Sequence, residues 1–160
     1  AYGEVCDRLF RLICGSPRNA ALPPVPADGQ RETVELAYEL ATACAAKLVV
    51  LHVITDPLAQ LDPTGAGEPF PPMPGLHATA RKQRSAELAA FVERELAGAA
   101  EIRVEIGEPC YEIMAVAVEL NARVVAMGTH GRKGLARLLL GSTAERTLRR
   151  STAPVLCVRT

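Results

Sequence analysis

Aromatic side chains are scarce in this chain of 160 residues: they make up 4% of it, and tryptophan is absent. Proteins that hold single-stranded nucleic acid usually stack its bases on such rings, so the composition argues against that class. An excess of charge of one sign is lacking too, because 18 Lys and Arg balance 18 Asp and Glu. Binding nucleic acid or an anionic membrane by bulk charge needs an excess of cations. We therefore expect neither as a partner.

Patterned cysteines and long apolar runs are also missing. The five cysteines are scattered without a CxxC pair, which argues against a disulfide framework and against a zinc site. No apolar run approaches the roughly 18 residues of a membrane-spanning helix. The first residues lack the basic and apolar regions of a signal peptide. These absences predict a cytoplasmic protein in a reducing compartment.

Hydrophobic residues are plentiful, at 49% of the chain, and they alternate between short runs and helical patterns. The length suits one domain, so we interpret residues 1–160 as a single one. Strand and helix patterns that alternate in this way predict an α/β fold with a doubly wound parallel sheet. The predicted strands are Leu9–Cys14, Leu48–Ile54, Ile102–Ile106, Val124–Met127 and Val155–Val158. The predicted helices are Glu32–Ala46, Thr79–Leu96, Pro109–Asn121 and Thr143–Arg150.

Two proline-rich segments interrupt this alternation, at residues 17–30 and 56–75. Proline fixes φ and removes a backbone donor, so we predict irregular loops there. Each segment follows the carboxyl end of a predicted strand, where open α/β sheets bind their ligands. Two interpretations stay open, namely surface loops and lids over a ligand.

Three glycines follow the fourth predicted strand, at Gly128, Gly131 and Gly141. Glycine lets a backbone turn sharply and approach a ligand without a Cβ in the way. Arg132, between them, adds a positive charge that suits phosphate oxygens. The spacing matches neither the P-loop nor the dinucleotide fingerprint. A phosphate cradle and a set of simple tight turns are therefore both open.

The last predicted helix opens next to Gly141. Ser142 and Glu145 stand three residues apart, which matches a capping box with Ser142 as the N-cap. Free amides and the helix dipole make such a helix start a favourable place for an anion. This pattern favours the phosphate cradle.

The glycine spacing Gly128-x2-Gly131-x9-Gly141-Ser142, between VVAMGTHG and APVLCV, resembles the universal stress protein family. LFRLICGSP, VVLHV and IGEP extend the resemblance over nearly the whole chain. The resemblance implies a Rossmann-like fold of the adenine nucleotide α-hydrolase type, with five parallel strands in the order 3-2-1-4-5. It also implies a homodimer through the last strand, Val155–Val158. Family members with the full glycine motif typically bind ATP.

Carried over by position, the resemblance implies a nucleotide site in this chain. Met127 and the backbone around Val53 line the adenine. The residues that hold the ribose and phosphates are Gly128, Gly131, Gly141, Ser142 and Thr143.

One position departs from the family pattern, since Cys14 stands where ATP-binding members usually carry Asp. A thiol is a poor hydrogen-bond acceptor. The change is expected to cost roughly 1–3 kcal/mol, or about ten- to a hundredfold in affinity. No acidic cluster is evident, so any Mg²⁺ is expected to arrive with the nucleotide.

The leading hypothesis is a cytoplasmic, dimeric, ATP-binding regulator in the stress response. One alternative is a weak ATP hydrolase in which His130 or a metal activates water. The other is a dimerisation or adaptor domain whose nucleotide site has decayed, with Cys14 as the mark of decay. His52, within an apolar strand, is interpreted as a core or sheet-end histidine.

Overall fold

The structure is a computed structural model, and it describes residues 11–14, 30–55, 74–129 and 140–159. Strands and helices alternate through these residues, because short apolar runs are separated by longer segments with helical periodicity. The elements are β1 (Arg11–Cys14), α1 (Gln30–Ala43), β2 (Lys47–Thr55), α2 (Pro74–Leu96), β3 (Glu101–Gly107), α3 (Pro109–Glu119), β4 (Val125–Gly128), α4 (Ser142–Arg150) and β5 (Val155–Val158).

The five strands form one parallel sheet in the order β3-β2-β1-β4-β5. β1 lies at its centre, where Cys14 is in register with Val50 of β2 and with Ala126 of β4. The chain builds outward from β1 to β3 and then crosses back to β4. The direction of winding therefore reverses between β1 and β4, which is where open α/β sheets form a crevice for ligands. The predicted α/β class is confirmed.

Each face of the sheet is covered by two helices, and side chains of β2 pack against the helices on both faces. Leu48 and Val50 pack with α1 and α2, whereas Leu51 and Val53 pack with α3 and α4. Successive side chains of a strand point to opposite faces, so a central strand must be apolar at nearly every position. This explains the continuous run in β2.

β5 is less buried than its apolar sequence suggests. An unbroken apolar run such as Val155–Val158 is typical of a strand covered on both faces, but all four residues are only half-buried. The strand lies at an end of the sheet and pairs with β4 alone in the part of the chain that is described.

α2 begins at Pro74, five residues before the predicted start at Thr79. Proline suits the first helical position, because the missing N–H would have no partner within the helix. Placing Pro74 and Gly75 in an irregular loop was therefore wrong, and Gln30 likewise belongs to α1. The rest of the two proline-rich segments, residues 17–29 and 56–73, lies outside the described residues.

α1 ends at Ala43 rather than at the predicted Ala46. Ala45 has a φ of 50°, in the left-handed region, and such a residue stops a right-handed helix. No helix within the described ranges is long and apolar enough to cross a membrane.

Candidate functional site

The two halves of the glycine motif meet at the carboxyl edge of the sheet. Just after β4, the Thr129 N–H donates to the Val158 carbonyl at 2.9 Å. The Thr129 carbonyl in turn accepts from the Gly141 N–H at 2.8 Å. A Cβ on residue 141 would lie 3.0 Å from that carbonyl oxygen, so a side chain would push against backbone. The close approach therefore favours glycine at residue 141, since any side chain would require the backbone to shift by a few tenths of an ångström.

The start of α4 differs from the predicted capping box. Gly141 is the N-cap, with φ −60° and ψ 146°, and its carbonyl accepts from the Glu145 N–H at 2.9 Å. Ser142 is the first helical residue, so its assignment as the N-cap was wrong. The hydrogen bond to Thr129 holds Gly141 in an extended conformation, so the N-cap is Gly141, one residue before the predicted Ser142. Gly141 has no side chain and so makes no side-chain cap bond to the first turn of α4. The dipole of α4 favours an anion at this end of the helix.

The floor beneath this edge is apolar and closely packed. Val53 at the end of β2 and Met127 in β4 are buried in the cluster beneath α3 and α4, and Thr143 of α4 is buried as well. β1 separates β2 from β4, so the two strands lie about 10 Å apart at the usual strand spacing. The Met127 side chain is only 2% exposed and belongs to the core. A ligand at this edge would meet mainly the backbone of these strands.

Of the remaining candidate residues, the structure describes some and leaves others outside the described ranges. Gly128 ends β4 in register with Val158 of β5. Cys14 ends β1 by its backbone, while its side chain lies outside the described part of the structure. Gly131, Arg132 and His130 also lie outside the described residues.

Glu108 links α3 to α4. Its side chain caps α3 by accepting from the Tyr111 N–H at 3.1 Å, and its other oxygen accepts from Arg146 Nη1 at 3.0 Å. The sequence analysis missed this role. The usable signal was a carboxylate directly before Pro109, because proline favours the first turn of a helix. Glu108 thus helps to hold α4 at the carboxyl edge.

A second polar group lies where β2 and β3 end. The Glu112 carboxylate folds back over Gly107, where a Cβ would lie 2.3 Å from Oε1. Burial raises the pKa of Glu112, and the neighbouring Glu105 adds to the rise. Thr55 is the register partner of Gly107, and its buried hydroxyl has no hydrogen-bond partner among the described residues. Strand pairing places Thr55 beside Gly107, and α3 places Glu112 over Gly107. The sequence analysis missed both residues, because neither relation follows from the local sequence.

His52 occupies the opposite face of β2 from Val53. Burial, together with the nearby Arg84 guanidinium, lowers the pKa of His52 to about 4. The residue is therefore uncharged at neutral pH, and it lies in register with Val104 of β3. Within the described part of the chain, no group of three or more His, Cys, Asp or Glu side chains is arranged to hold a metal ion.

Comparison with known proteins gives the family of this chain. The model of the universal stress protein family matches residues 21–159. A universal stress protein of Mycolicibacterium smegmatis is 32% identical over 123 residues, which cover 77% of this chain and 39% of that protein. The universal stress protein MJ0531 of Methanocaldococcus jannaschii is 45% identical over 53 residues, which cover 33% of this chain and 31% of that protein. The match thus spans about a third to two fifths of these curated relatives.

Solved structures share the fold at low sequence identity. The protein MJ0577, solved to assign its biochemical function, matches with a TM-score of 0.70 and 18% identity, over 94% of this chain and 96% of that one. A universal stress protein in complex with cAMP matches with a TM-score of 0.61 and 23% identity, over 94% and 97% of the two chains. With the family match covering residues 21–159, the chain belongs to the universal stress protein family.

Proposed function

We propose that this chain binds an adenine nucleotide, ATP, at the carboxyl edge of β1 and β4 and acts as a nucleotide-dependent regulator. The observation that carries the proposal is the 2.8 Å hydrogen bond from Gly141 to Thr129, because it joins the two halves of the glycine motif. The cAMP complex of a protein with the same fold supports an adenine nucleotide as the ligand. The proposal concerns this chain, which matches only part of its curated relatives.

The phosphates would lie at the start of α4. The helix dipole favours negative charge there, and the N-cap Gly141 has no side chain that would compete with a ligand for this position. Arg132 would add a cation, and Mg²⁺ would come with the phosphates rather than bind to a protein cluster. The residues proposed to hold ribose and phosphates are Gly128, Gly131, Gly141, Ser142 and Thr143.

The base would lie toward β2, against the backbone around Val53 and beside Met127. Both residues are buried at the carboxyl ends of their strands, and their packing gives the base a rigid apolar floor. Cys14 ends the strand between them and lacks the carboxylate of the family pattern. We therefore expect ATP to bind more weakly here than in relatives with Asp at that position.

The test combines ligand extraction with calorimetry. Mass spectrometry of the denatured protein should detect a bound adenine nucleotide, and titration with ATP and Mg²⁺ should give saturable heat. Gly141→Val should weaken ATP binding, because a Cβ at residue 141 would lie 3.0 Å from the Thr129 carbonyl oxygen and the larger side chain would press on that backbone. Gly75→Ala is the matched control, since a Cβ at residue 75 meets nothing within 4 Å. Circular dichroism checks that both variants are folded.

The outcomes separate the hypotheses. ATP at about 100 times its Kd should stabilise the folded wild type by about 2.7 kcal/mol. Wild-type protein that yields no nucleotide, no heat and no thermal shift would overturn the proposal. Binding of ATP by folded Gly141→Val with wild-type affinity would remove the Thr129–Gly141 junction from the site.

We also propose that two copies pair through β5. The strand is half-buried, and within the described residues it has a partner on one side only. An open edge of this kind is a template for a second strand. A cytoplasmic location is part of the proposal, since the three cysteines whose side chains are described, Cys44, Cys110 and Cys157, are all free thiols.

A further inference from the structure

We infer that the Thr55 hydroxyl and the Glu112 carboxylate form the base-reading end of the nucleotide site. Together they would select a base with an exocyclic amino group, such as adenine, over one with a carbonyl at the same position. This inference rests on the proposed nucleotide binding and names residues that would determine its specificity.

The strand register brings the two side chains to the same place. Thr55 and Gly107 end β2 and β3 as register partners, so their Cα atoms lie about 4.8 Å apart. Thr55 follows Val53 by two residues and so faces the α3 side of the sheet. Glu112 in the first turn of α3 lies over Gly107 on that side. Gly107 leaves the space that the carboxylate occupies.

Both groups lack a partner in the described part of the chain. The Thr55 hydroxyl oxygen is buried without a hydrogen bond, although buried polar atoms are nearly always satisfied. Glu112 forms no ion pair there, whereas neighbouring carboxylates do: Glu105 pairs with Arg81 at 3.2 Å and Glu108 with Arg146 at 3.0 Å. The buried Thr55 hydroxyl is costly unless a ligand completes it, and the Glu112 carboxylate, which is only partly buried, remains available to the same ligand.

The position fits the far end of a nucleotide from the phosphates. The phosphate end lies at Thr129 and Gly141, beyond β4, and the base end lies at β2 and β3 on the same face of the sheet. β2 and β4 are separated by β1 alone, a distance of about 10 Å. A nucleotide lying across the carboxyl edge from α4 would therefore bring its base to the ends of β2 and β3.

The chemistry of the two groups gives the selectivity. A carboxylate accepts hydrogen bonds and cannot donate them, so it attracts an amino group and repels a carbonyl oxygen. A hydroxyl can donate to a ring nitrogen while it accepts from another group. Adenine presents an amino group beside a ring nitrogen, which matches this pair. Hypoxanthine, the base of ITP, has a carbonyl in place of the amino group.

The first test removes the Thr55 hydroxyl while keeping the size and branching of the side chain. Thr55→Val should weaken ATP binding about three- to tenfold, the usual effect of losing one hydrogen bond. Thr147→Val is the matched control, since Thr147 also has a buried hydroxyl without a partner but lies within α4. The control should bind ATP as the wild type does. Equal affinity of Thr55→Val and wild type would overturn the role of Thr55.

The second test compares bases. Wild-type protein should bind ATP about ten- to a hundredfold more tightly than ITP, because ITP would place a carbonyl oxygen against the carboxylate and leave that polar contact unmade. Glu112→Gln should lower the ratio of the ATP affinity to the ITP affinity, because a carboxamide can donate a hydrogen bond to the carbonyl of ITP. Glu101→Gln is the control, since Glu101 is exposed at the amino end of β3. A ratio unchanged in Glu112→Gln would overturn the inference and leave the proposed function standing, whereas no ATP binding by wild type would overturn the proposed function itself.

Discussion

At Gly107 and Gly141, the absence of a Cβ atom determines the local geometry. A Cβ at residue 107 would overlap the Glu112 carboxylate at 2.3 Å, and one at residue 141 would press on the Thr129 carbonyl at 3.0 Å. The first obstacle is the end of a flexible side chain, whereas the second is backbone that is itself hydrogen-bonded. Substitution at Gly141 is therefore expected to disturb the fold of the site, while substitution at Gly107 is expected mainly to displace Glu112.

His52 gives a prediction of pH dependence. Its pKa is about 4 in the folded chain and near 6.5 in the unfolded chain, so the unfolded state takes up the proton first. The stabilisation is complete above pH 6.5 and is lost as the pH falls through 4. We expect this group to lower the free energy of unfolding by up to about 3 kcal/mol between pH 7 and pH 4.

Urea denaturation across that pH range checks the prediction. His52→Gln should show a shallower loss of stability than the wild type, since a carboxamide does not titrate. An NMR titration of His52 with a midpoint near 6.5 in the folded protein would contradict the prediction.

At the scale of elements, α3 and α4 are coupled by one carboxylate. Glu108 caps α3 and pairs with Arg146, and one turn further along, the Arg150 guanidinium lies 5.2 Å from the centre of the Tyr111 ring. The two helices run side by side, so these contacts keep the start of α4 in line with the ends of the strands. The candidate phosphate site therefore depends on a contact made by α3.

Removing the Glu108 side chain should destabilise the protein measurably. The loss of an N-cap costs about 1 kcal/mol, and a partly exposed ion pair adds up to about 1 kcal/mol. We expect Glu108→Ala to lower the free energy of unfolding by about 1–2 kcal/mol. Glu108→Gln should lose less, because its amide oxygen can still cap α3.

Chemical denaturation measures these differences, with Arg146→Ala reporting on the ion pair alone. The Arg146 variant should lose no more than about 1 kcal/mol, since its side chain is 59% exposed. A Glu108→Ala variant as stable as the wild type would show that the capping contact contributes nothing.

At the scale of the whole molecule, the central strands of the sheet are buried, whereas β5 at its edge is only half-buried. The carbonyls of Pro154 and Val158 accept at 2.9 Å from the N–H of Val125 in β4 and from the N–H of Thr129 just after it. Because backbone groups alternate in direction along a strand, the N–H of Val155 and of Cys157 point toward the open side. These are the donors that a second copy of the chain would use.

Proline at position 155 tests that pairing. Val155→Pro removes one outward N–H at the first residue of β5, where proline is tolerated, and leaves the bonds to β4 in place. We expect wild-type protein to sediment as a dimer and Val155→Pro as a monomer. Val155→Ala loses similar packing but keeps the N–H, so it should remain dimeric. Dimeric Val155→Pro would refute pairing through β5.

The sequence correctly predicted the α/β fold class and the family, but the predicted starts of α2 and α4 were wrong. The alternation of apolar runs and helical patterns indicated the α/β class, because both periodicities are local properties of the chain. The capping box at Ser142 was wrong, since the bond between Gly141 and Thr129 sets where α4 begins. The start of α2 at Pro74 was missed, because proline indicates both loops and first helical turns.

The sequence by itself determined the order of the elements, the glycine spacing and the family, since each depends on residues close together in the chain or on a motif of fixed spacing. The tertiary structure alone decided which of those residues meet: Gly141 against Thr129, and Glu112 over Gly107 beside Thr55. These contacts join residues that different elements supply. Their distances are set by strand register and helix packing, which no local pattern encodes.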